Sequence, residues 1–251
     1  MAAIVNKGLT APTARSAVLA QLVVDQWARE HNMKSAKIIG GVTLSYSVGG
    51  LNVHAVRTAA QFGGKFVWTP VLNSAHHRRV EALAGMESSG GIEVINENDE
   101  VVPELKEISK VIAEHDIVLS LAHHSTKERF IMIDAAKEAG VKRISIIHPF
   151  QHLTKMSIEQ MKIATDKGAY LEHLFFDLTP YSWDWGETIE AIKELGPDHF
   201  VLGTDSGRWS VPPPVPVYRI MIGKLLELGI PEADVEKMVR LNAEKLIWGE
   251  P

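Results

Sequence analysis

The stretch DIVLSLAHHSTKERFIMIDAAKEAGVKRISIIH, residues 116–148, indicates how this chain folds. It begins with a short apolar run, Asp116–Ala122, and continues through a helical pattern, Thr126–Ala139, that Gly140 closes. It ends in a second apolar run, Arg143–His148. Short β-branched runs that alternate with helical patterns are typical of a parallel sheet built from βα units. One such unit is therefore predicted here.

The same alternation extends in both directions along the chain. We predict seven strands: Ala3–Lys7, Ala36–Thr43, Lys65–Pro70, Asp116–Ala122, Arg143–His148, Ala169–Phe175 and His199–Thr204. We predict helices at Thr13–Glu30, Val53–Phe62, Arg78–Ala84, Pro103–His115, Thr126–Ala139, Ser157–Lys167, Thr188–Leu195, Val217–Leu228 and Pro231–Leu241, with an extended proline-rich segment at Val211–Pro216. The fold class is α/β, a TIM-like (β/α)8 barrel. Residues 1–251 are expected to form one domain with a small insertion, partly a β-hairpin, at about 76–102.

Composition narrows the classes of protein that this chain can be. It has 251 residues, 45% of them hydrophobic, no cysteine and a net charge of −5. The lack of cysteine excludes disulfides, thiolate nucleophiles and Cys-based metal sites. The acidic balance argues against nucleic acid or an anionic membrane as a partner, and no apolar run reaches the roughly 18 residues of a spanning helix. We expect a cytoplasmic protein that acts on a small molecule.

Three predicted strands end in side chains that can bind a metal ion. The candidates are the pair His123 and His124, then His148, then Asp205. Barrel active sites lie at the carboxyl ends of the strands, and imidazole and carboxylate groups bind zinc or a similar divalent ion. Adjacent side chains on a strand point to opposite sides, so only one of His123 and His124 should face the barrel axis. Asp205 would act both as a ligand and as the general base.

Other side chains at these strand ends are candidates for substrate binding. Lys7 could hold a substrate carboxylate or phosphate and is predicted as a second catalytic residue, although a solvated lysine is an equal alternative. Arg208 could bind an anion through its guanidinium group. His173 is either a residue of the substrate pocket or inward packing. Trp68, at the end of its strand, completes the predicted substrate-binding set.

Two further groups have a structural interpretation that we favour. Tyr181, Trp183 and Trp185 could form the wall of a substrate pocket, but covering the barrel or an oligomer contact is the slightly better interpretation. His76 and His77 stand at a polar helix start, which favours a solvated pair over a pair of metal ligands.

Several motifs resemble a known superfamily. The series strand-His, strand-His, strand-Thr-Asp-Ser, followed by Leu241-Asn-Ala-Glu-Lys-Leu-Ile-Trp-Gly249, resembles the last barrel units and the closing segment of the amidohydrolase superfamily. The chain has one extra residue before that closing glycine. A narrower likeness, to amidohydrolase-like barrel proteins without an assigned reaction, rests on Ile4–Lys7, Pro12–Arg15, Gly49–Asn52, Val67–Pro70, and Ala122–Ser125 with Glu128.

The resemblance implies a set of metal ligands. In the superfamily the fifth and sixth strands each provide a histidine and the eighth an aspartate, which match His123, His148 and Asp205. Two features depart from the pattern. The chain has no His-x-His, which members usually carry on the first strand, and no bridging lysine or glutamate ends the strand of Trp68. One divalent ion, expected to be zinc, is therefore predicted rather than two. Counting back from Asp205 implies that the first βα unit is missing.

These observations predict a metal-dependent hydrolase of the amidohydrolase type, in which a divalent ion activates water against an amide, ester or lactone carbon. Two alternatives stay open: a metal-dependent lyase or decarboxylase on the same barrel, and a catalytically silent barrel homologue or fragment. A barrel short of one unit exposes two sheet edges. We therefore also expect a homo-oligomer.

Overall fold

The structure is a computed structural model that describes residues 3–86, 89–175, 185–207 and 211–249. Within these residues, strands and helices alternate along the chain. The strands are Ala3–Val5 (β1), Lys37–Ile39 (β2), Gly41–Thr43 (β3), Phe66–Trp68 (β4), Val118–Leu121 (β5), Ile144–Ile147 (β6), Ala169–Leu174 (β7) and Phe200–Gly203 (β8). The helices are Ala14–Glu30 (α1), Val53–Gln61 (α2), Ala75–Leu83 (α3), Pro103–Glu114 (α4), Thr126–Glu138 (α5), Ile158–Asp166 (α6), Gly186–Leu195 (α7), Pro214–Glu227 (α8), Glu232–Glu236 (α9) and Asn242–Trp248 (α10).

Each of the seven predicted strands contains a strand of the structure, and the second is divided at Gly40 into β2 and β3. The start of α1 passes close to the backbone at this point. A Cβ atom added to Gly40 would lie 2.4 Å from the carbonyl oxygen of Thr13 and 2.7 Å from the Cα of Ala14. Only glycine can occupy this position without displacing the start of α1.

Several predicted helices differ from the structure at their ends, and two of them lie near the carboxyl terminus. The proline-rich segment was expected to stay extended to Pro216, but α8 already begins at Pro214. Proline lacks the N–H that the first turn of a helix leaves unpaired, so it is well accommodated there. The helix expected over 231–241 consists of α9 followed by a π-helical turn, Lys237–Leu241.

The chain consists of two compact units, Met1–Ile144 and Ser145–Pro251. In the first unit, β1 and β2 form a two-stranded parallel sheet. The strands β3, β4 and β5 are neighbours in that order and run parallel. All four residues of β5 are buried, as is usual for a parallel strand with both faces covered. Helix α4 turns a buried stripe inward that includes Leu105, Ile108 and Ile112. That one domain spans residues 1–251 remains a prediction.

The insertion of the first unit contains α3 and one antiparallel bridge. The bridge joins Ile95 and Val101, and the turn between them is held by Asn96, whose side-chain oxygen accepts hydrogen bonds from the backbone N–H groups of Asn98 and Glu100. This bridge lies where the β-hairpin was expected.

In the second unit, β6, β7 and β8 are neighbours in that order, and β7 and β8 run parallel from Leu171 opposite Phe200 to Leu174 opposite Gly203. A capping box of Ser157 and Gln160 begins α6. Near the carboxyl end of the unit, the side-chain amide of Asn242 donates hydrogen bonds of 2.7 Å to the carbonyl oxygens of Pro197 and Phe200. The closing segment thus fixes the start of β8.

Among the described residues, no helix combines the length and the apolar character that crossing a membrane requires.

Candidate metal site

His148 and Asp205 lie at the carboxyl ends of two strands of the second unit. His148 directly follows β6, and Asp205 comes two residues after β8. The Nε2 atom of His148 and the Oδ2 atom of Asp205 are 3.8 Å apart. The histidine side chain is 3% exposed and the aspartate side chain 29% exposed. The two predicted ligands are therefore neighbours, with the carboxylate open to solvent.

Both residues have a left-handed backbone. The φ angle is 57° at His148 and 48° at Asp205. Residues other than glycine seldom adopt this conformation, which costs of the order of 1 kcal/mol and tends to occur at functional sites. At His148 the carbonyl oxygen accepts hydrogen bonds from the hydroxyl of Thr154, at 2.6 Å, and from the backbone N–H of Gln151. These bonds hold the turn that aims the imidazole.

The spacing of the pair fits two ligands of one metal ion. At 3.8 Å the two atoms are too far apart for a good hydrogen bond. Two ligands of one tetrahedral zinc, each about 2.0–2.1 Å from the ion, are about 3.3 Å apart, so a small adjustment would bring both into place. One imidazole nitrogen and one carboxylate oxygen are also a donor set that zinc accepts. In the described parts of the chain, however, no three His, Asp or Glu side chains are grouped so that they could hold an ion.

His173 lies on β7 and is completely buried. Its ring meets the ring of Phe150 edge-on with 5.1 Å between centroids and that of Trp185 edge-on at 5.9 Å. The side chain of Trp185 is itself buried. Tyr181, Trp183 and Arg208, the other candidates from this part of the sequence, lie outside the described residues.

In the first unit, His123 belongs to a row of three polar side chains that contact one another. Its Nδ1 atom lies 2.8 Å from Nδ1 of His77, and the two rings stack with centroids 4.9 Å apart. The Nε2 atom of His77 lies 2.9 Å from a carboxylate oxygen of Glu81. Both imidazoles are 4% exposed. The expectation that His77 is solvated at a helix start was therefore wrong, because α3 begins at Ala75 and turns His77 inward.

The hydrogen bonds among Glu81, His77 and His123 determine which nitrogen of His123 carries a proton. An ionised Glu81 can only accept, so His77 donates through Nε2. Burial lowers the pKa of His77, with the Glu81 carboxylate acting in the opposite direction, so the neutral ring is favoured and its Nδ1 is an acceptor. His123 would then donate through Nδ1, and a neutral His123 would bear its lone pair at Nε2. An imidazole in this form can bind a metal or act as a base.

His124 is bound in a different way. Its Nε2 atom lies 2.9 Å from the hydroxyl of Thr69 and its Nδ1 atom 3.3 Å from the hydroxyl of Ser74. Burial lowers the pKa of His124 well below its ordinary value, and the positive charge of Arg129 adds to the effect. Because both nitrogens contact hydroxyl groups and the ring stays neutral, His124 has a structural role in this unit.

The region after β5 also holds a buried carboxylate. Glu128 is 3% exposed and forms a capping box with Ser125 at the start of α5. The Oε1 atom of Glu128 lies 3.2 Å from the guanidinium group of Arg79. The pair Ser125 and Glu128, which the sequence contributed only as part of a resemblance, thus fixes the loop that carries His123 and His124.

Lys7 and Trp68, two further candidates of the first unit, are brought together. The Nζ atom of Lys7 lies 5.9 Å from the centre of the Trp68 ring, at the outer limit of a cation–π interaction. Trp68 is 2% exposed and stacks on Phe66 with 5.2 Å between centroids. The contact holds Lys7 near the end of β4, while a role of either residue in substrate binding stays a prediction.

Sequence reasoning missed the row of hydrogen-bonded side chains that connects His77 and Glu81 to His123. The signal was present, since residues four apart on a helix share one face and His77 and Glu81 have that spacing on α3. It went unrecognised because the helix was expected to begin only at Arg78.

Comparisons with known proteins bear on the fold. No curated protein matches this chain. Several solved structures match this chain. An amidohydrolase from Pseudomonas aeruginosa has 15% identity, a TM-score of 0.60 and coverage of 99% of this chain and 80% of that one. A probable dipeptidase, PvdM, from the same organism has 13% identity, a TM-score of 0.61 and coverage of 93% and 78%. A 2,6-dihydroxybenzoate decarboxylase complexed with 2,6-dihydroxybenzoate has 13% identity, a TM-score of 0.50 and coverage of 98% and 79%.

At such low identities these likenesses establish the fold alone, which is the predicted α/β fold of the TIM-barrel type. A family model matches residues 1–172, more than half of the chain. By this match the chain belongs to the family of unknown function DUF6282.

Proposed function

We propose that this chain is a metal-dependent hydrolase of the amidohydrolase type that acts on an amide, ester or lactone. The observation that carries the proposal is the pair His148 and Asp205, placed 3.8 Å apart at two strand ends in left-handed backbone conformation. The likeness in fold to an amidohydrolase and a probable dipeptidase supports the same kind of chemistry.

In this proposal His148 and Asp205 hold one divalent ion, while His123 as a further ligand stays a prediction from the sequence. A bound divalent ion would supply a Lewis acid that makes water a nucleophile at neutral pH and polarises the substrate carbonyl. Asp205 has a second carboxylate oxygen, which would accept the proton of the attacking water and later pass it to the leaving group. Lys7 is proposed to bind an anionic group of the substrate, and His173, Trp68 and Arg208 to contact the rest of it.

The contacts of Glu81 and His77 support the proposal that His123 is a metal ligand. A histidine ligand needs its proton on the nitrogen that does not face the ion, and a neighbouring acceptor commonly holds it there. Here His77 accepts that proton at 2.8 Å and is itself oriented by Glu81 at 2.9 Å. Glu81 and His77 would therefore act as positioning residues for His123.

Metal analysis of the purified chain tests the proposal. We expect about one divalent ion per chain in the wild type and less than about a tenth of that in His148→Ala, since removing one of few protein ligands weakens binding strongly. His54→Ala is the matched control, because His54 is exposed on α2 and should leave the metal content unchanged. A wild-type chain that binds no divalent ion, or equal metal content in both variants, would contradict the proposal.

A lyase or decarboxylase is the second candidate function, and the likeness in fold to a 2,6-dihydroxybenzoate decarboxylase favours it. In such a reaction the same residues would orient a substrate oxygen without transferring a proton from water to a leaving group. Turnover in ¹⁸O-labelled water separates the two. Hydrolysis places one labelled oxygen in the product, whereas decarboxylation releases carbon dioxide and leaves the other product unlabelled.

A further inference from the structure

Helix α1 exposes large apolar side chains and buries small ones. The exposed set is Val18 at 47%, Leu19 at 60%, Leu22 at 62%, Val23 at 68% and Trp27 at 50%. The buried residues of the same helix are the three alanines Ala14, Ala17 and Ala28. A surface helix normally has the reverse arrangement, with its large apolar side chains toward the core. A continuous exposed apolar stripe usually marks an interaction surface.

Charged side chains stand at both ends of the stripe. Arg15 is exposed at the amino end of α1, and Glu30 is exposed at the carboxyl end, next to the exposed Arg29. With about 100° of rotation per residue, Arg15 and Glu30 lie on either side of one line along the helix, as do Leu22 and Val23, and Val18 and Trp27. Rotation by half a turn about the midpoint between Leu22 and Val23 therefore exchanges the two members of each of these pairs, while it places Leu19 opposite the exposed Gln26.

We propose that the exposed face of α1 binds the same face of a second copy of this chain, with the two helices antiparallel about a two-fold axis between Leu22 and Val23.

The distribution of charge selects this occupant and this orientation. In the antiparallel pair, Arg15 of each copy meets Glu30 of the other at both ends of the contact, and the apolar side chains meet in the middle. A parallel pair would place Arg15 against Arg15 and Glu30 against Glu30, which like-charge repulsion disfavours. A two-fold interface must use one patch twice. Three residue pairs of this face meet that requirement, namely Leu22 with Val23, Val18 with Trp27, and Arg15 with Glu30.

The mass of the chain in solution tests the proposal. One chain has a mass of 27.7 kDa, and sedimentation analysis should find twice that value for the wild type. Leu22→Glu should weaken the dimer on the order of a hundredfold, because it places a charge at the centre of the buried contact. The control is Leu83→Glu, at a leucine of α3 that is 89% exposed and lies outside α1. That variant should dimerise like the wild type. Circular dichroism verifies that both variants are folded.

Exchanging the end charges tests the orientation. Arg15→Glu should weaken the dimer by about tenfold or less, the range of exposed ion pairs. The double variant Arg15→Glu/Glu30→Arg should restore the affinity of the wild type, because each new glutamate again meets an arginine.

The cysteine-free sequence permits a direct distance measurement. Spin labels on Leu22→Cys should lie close together across the axis, and labels on Arg15→Cys should be separated by about 22 Å along the helices, given a rise of about 1.5 Å per residue. A monomeric wild type would overturn the proposal and point to another occupant of the stripe. Equal label distances at the two positions, or equal dimer affinity of the two glutamate variants at Leu22 and Leu83, would do so as well.

Discussion

His124 of the first unit and His148 of the second unit are held in opposite ways. In the first unit both ring nitrogens of His124 contact hydroxyl groups. In the second, His148 follows its strand in a left-handed conformation and stands 3.8 Å from a carboxylate. A ring that is fully bonded within the protein adds stability. The second arrangement, a left-handed backbone next to a carboxylate, is the one that we propose for a metal ligand. The sequence shows only that both histidines lie at strand ends.

The largest effect is expected from His124→Ala. It removes the partner of the buried Thr69 and Ser74 hydroxyls and leaves a cavity, so the free energy of unfolding should fall by about 2–4 kcal/mol while the metal content stays unchanged. Urea denaturation measures the loss. A variant as stable as the wild type would remove the basis of the comparison.

The same residue predicts an acid dependence. The folded state holds His124 neutral, with its pKa below the ordinary value of 6.5, so the unfolded state binds the proton first as the pH falls. The stabilising contribution is complete above about pH 6.5 and is lost below it. His124→Ala should remove this part of the pH dependence.

Asn242→Ala tests whether only the carboxyl end of β8 is functional. Asn242 is 2% exposed and binds the carbonyl oxygens of Pro197 and Phe200 at the amino end of that strand. Its loss should cost about 2–3 kcal/mol of unfolding free energy, with the metal affinity of the folded protein unchanged. A selective loss of metal at full stability would show that both ends of the strand serve the site.

Tyr218→Phe tests how a buried hydroxyl group of the second unit affects stability at alkaline pH. The hydroxyl of Tyr218 lies 3.1 Å from the carbonyl oxygen of Val239 and 3.4 Å from that of Leu202 on β8. The variant should lose about 1 kcal/mol of unfolding free energy near neutral pH. Burial raises the pKa of Tyr218 to about 12, so the unfolded state releases the proton first. The wild type should therefore lose stability between about pH 10 and pH 12, and the variant should lack this loss.

The smallest effect has the opposite sign. Asp205→Gly relieves the left-handed backbone at φ 48° and should raise the free energy of unfolding by about 0.5–1 kcal/mol while abolishing metal binding. Asp205→Asn, which tolerates the same backbone, is the control and should lose metal with little change in stability. If Asp205→Gly destabilises the chain instead, the strand end is not strained and the contrast with His124 weakens.

The positions of the strands could be predicted because short β-branched runs bounded by helix-closing glycines mark them locally, as around Gly140. The capping box at Ser157 was local as well. What the sequence could not indicate depends on tertiary contact. The division at Gly40 results from the approach of α1.

In the candidate site, the strand-end positions of His123, His148 and Asp205 were predictable from pattern. The left-handed turns at His148 and Asp205 were not, because neither residue type demands that backbone. The partner of His123 was also hidden, since His77 is distant in sequence and its orientation depends on the first turn of α3. The sequence pattern thus predicts candidate ligands at strand ends, while their backbone conformation and their side-chain partners depend on the fold.

Thr13 connects three segments with one hydroxyl group. It lies 2.5 Å from the carbonyl oxygen of Asn6, just after β1, accepts a bond from the backbone N–H of Gly41 on β3, and stands at the start of α1. The first forty residues should consequently open as one cooperative segment, with amide protons that exchange together and earlier than those of β5. In Thr13→Val that segment should exchange faster still, so a single hydroxyl sets how often the amino-terminal part of the chain detaches from the rest.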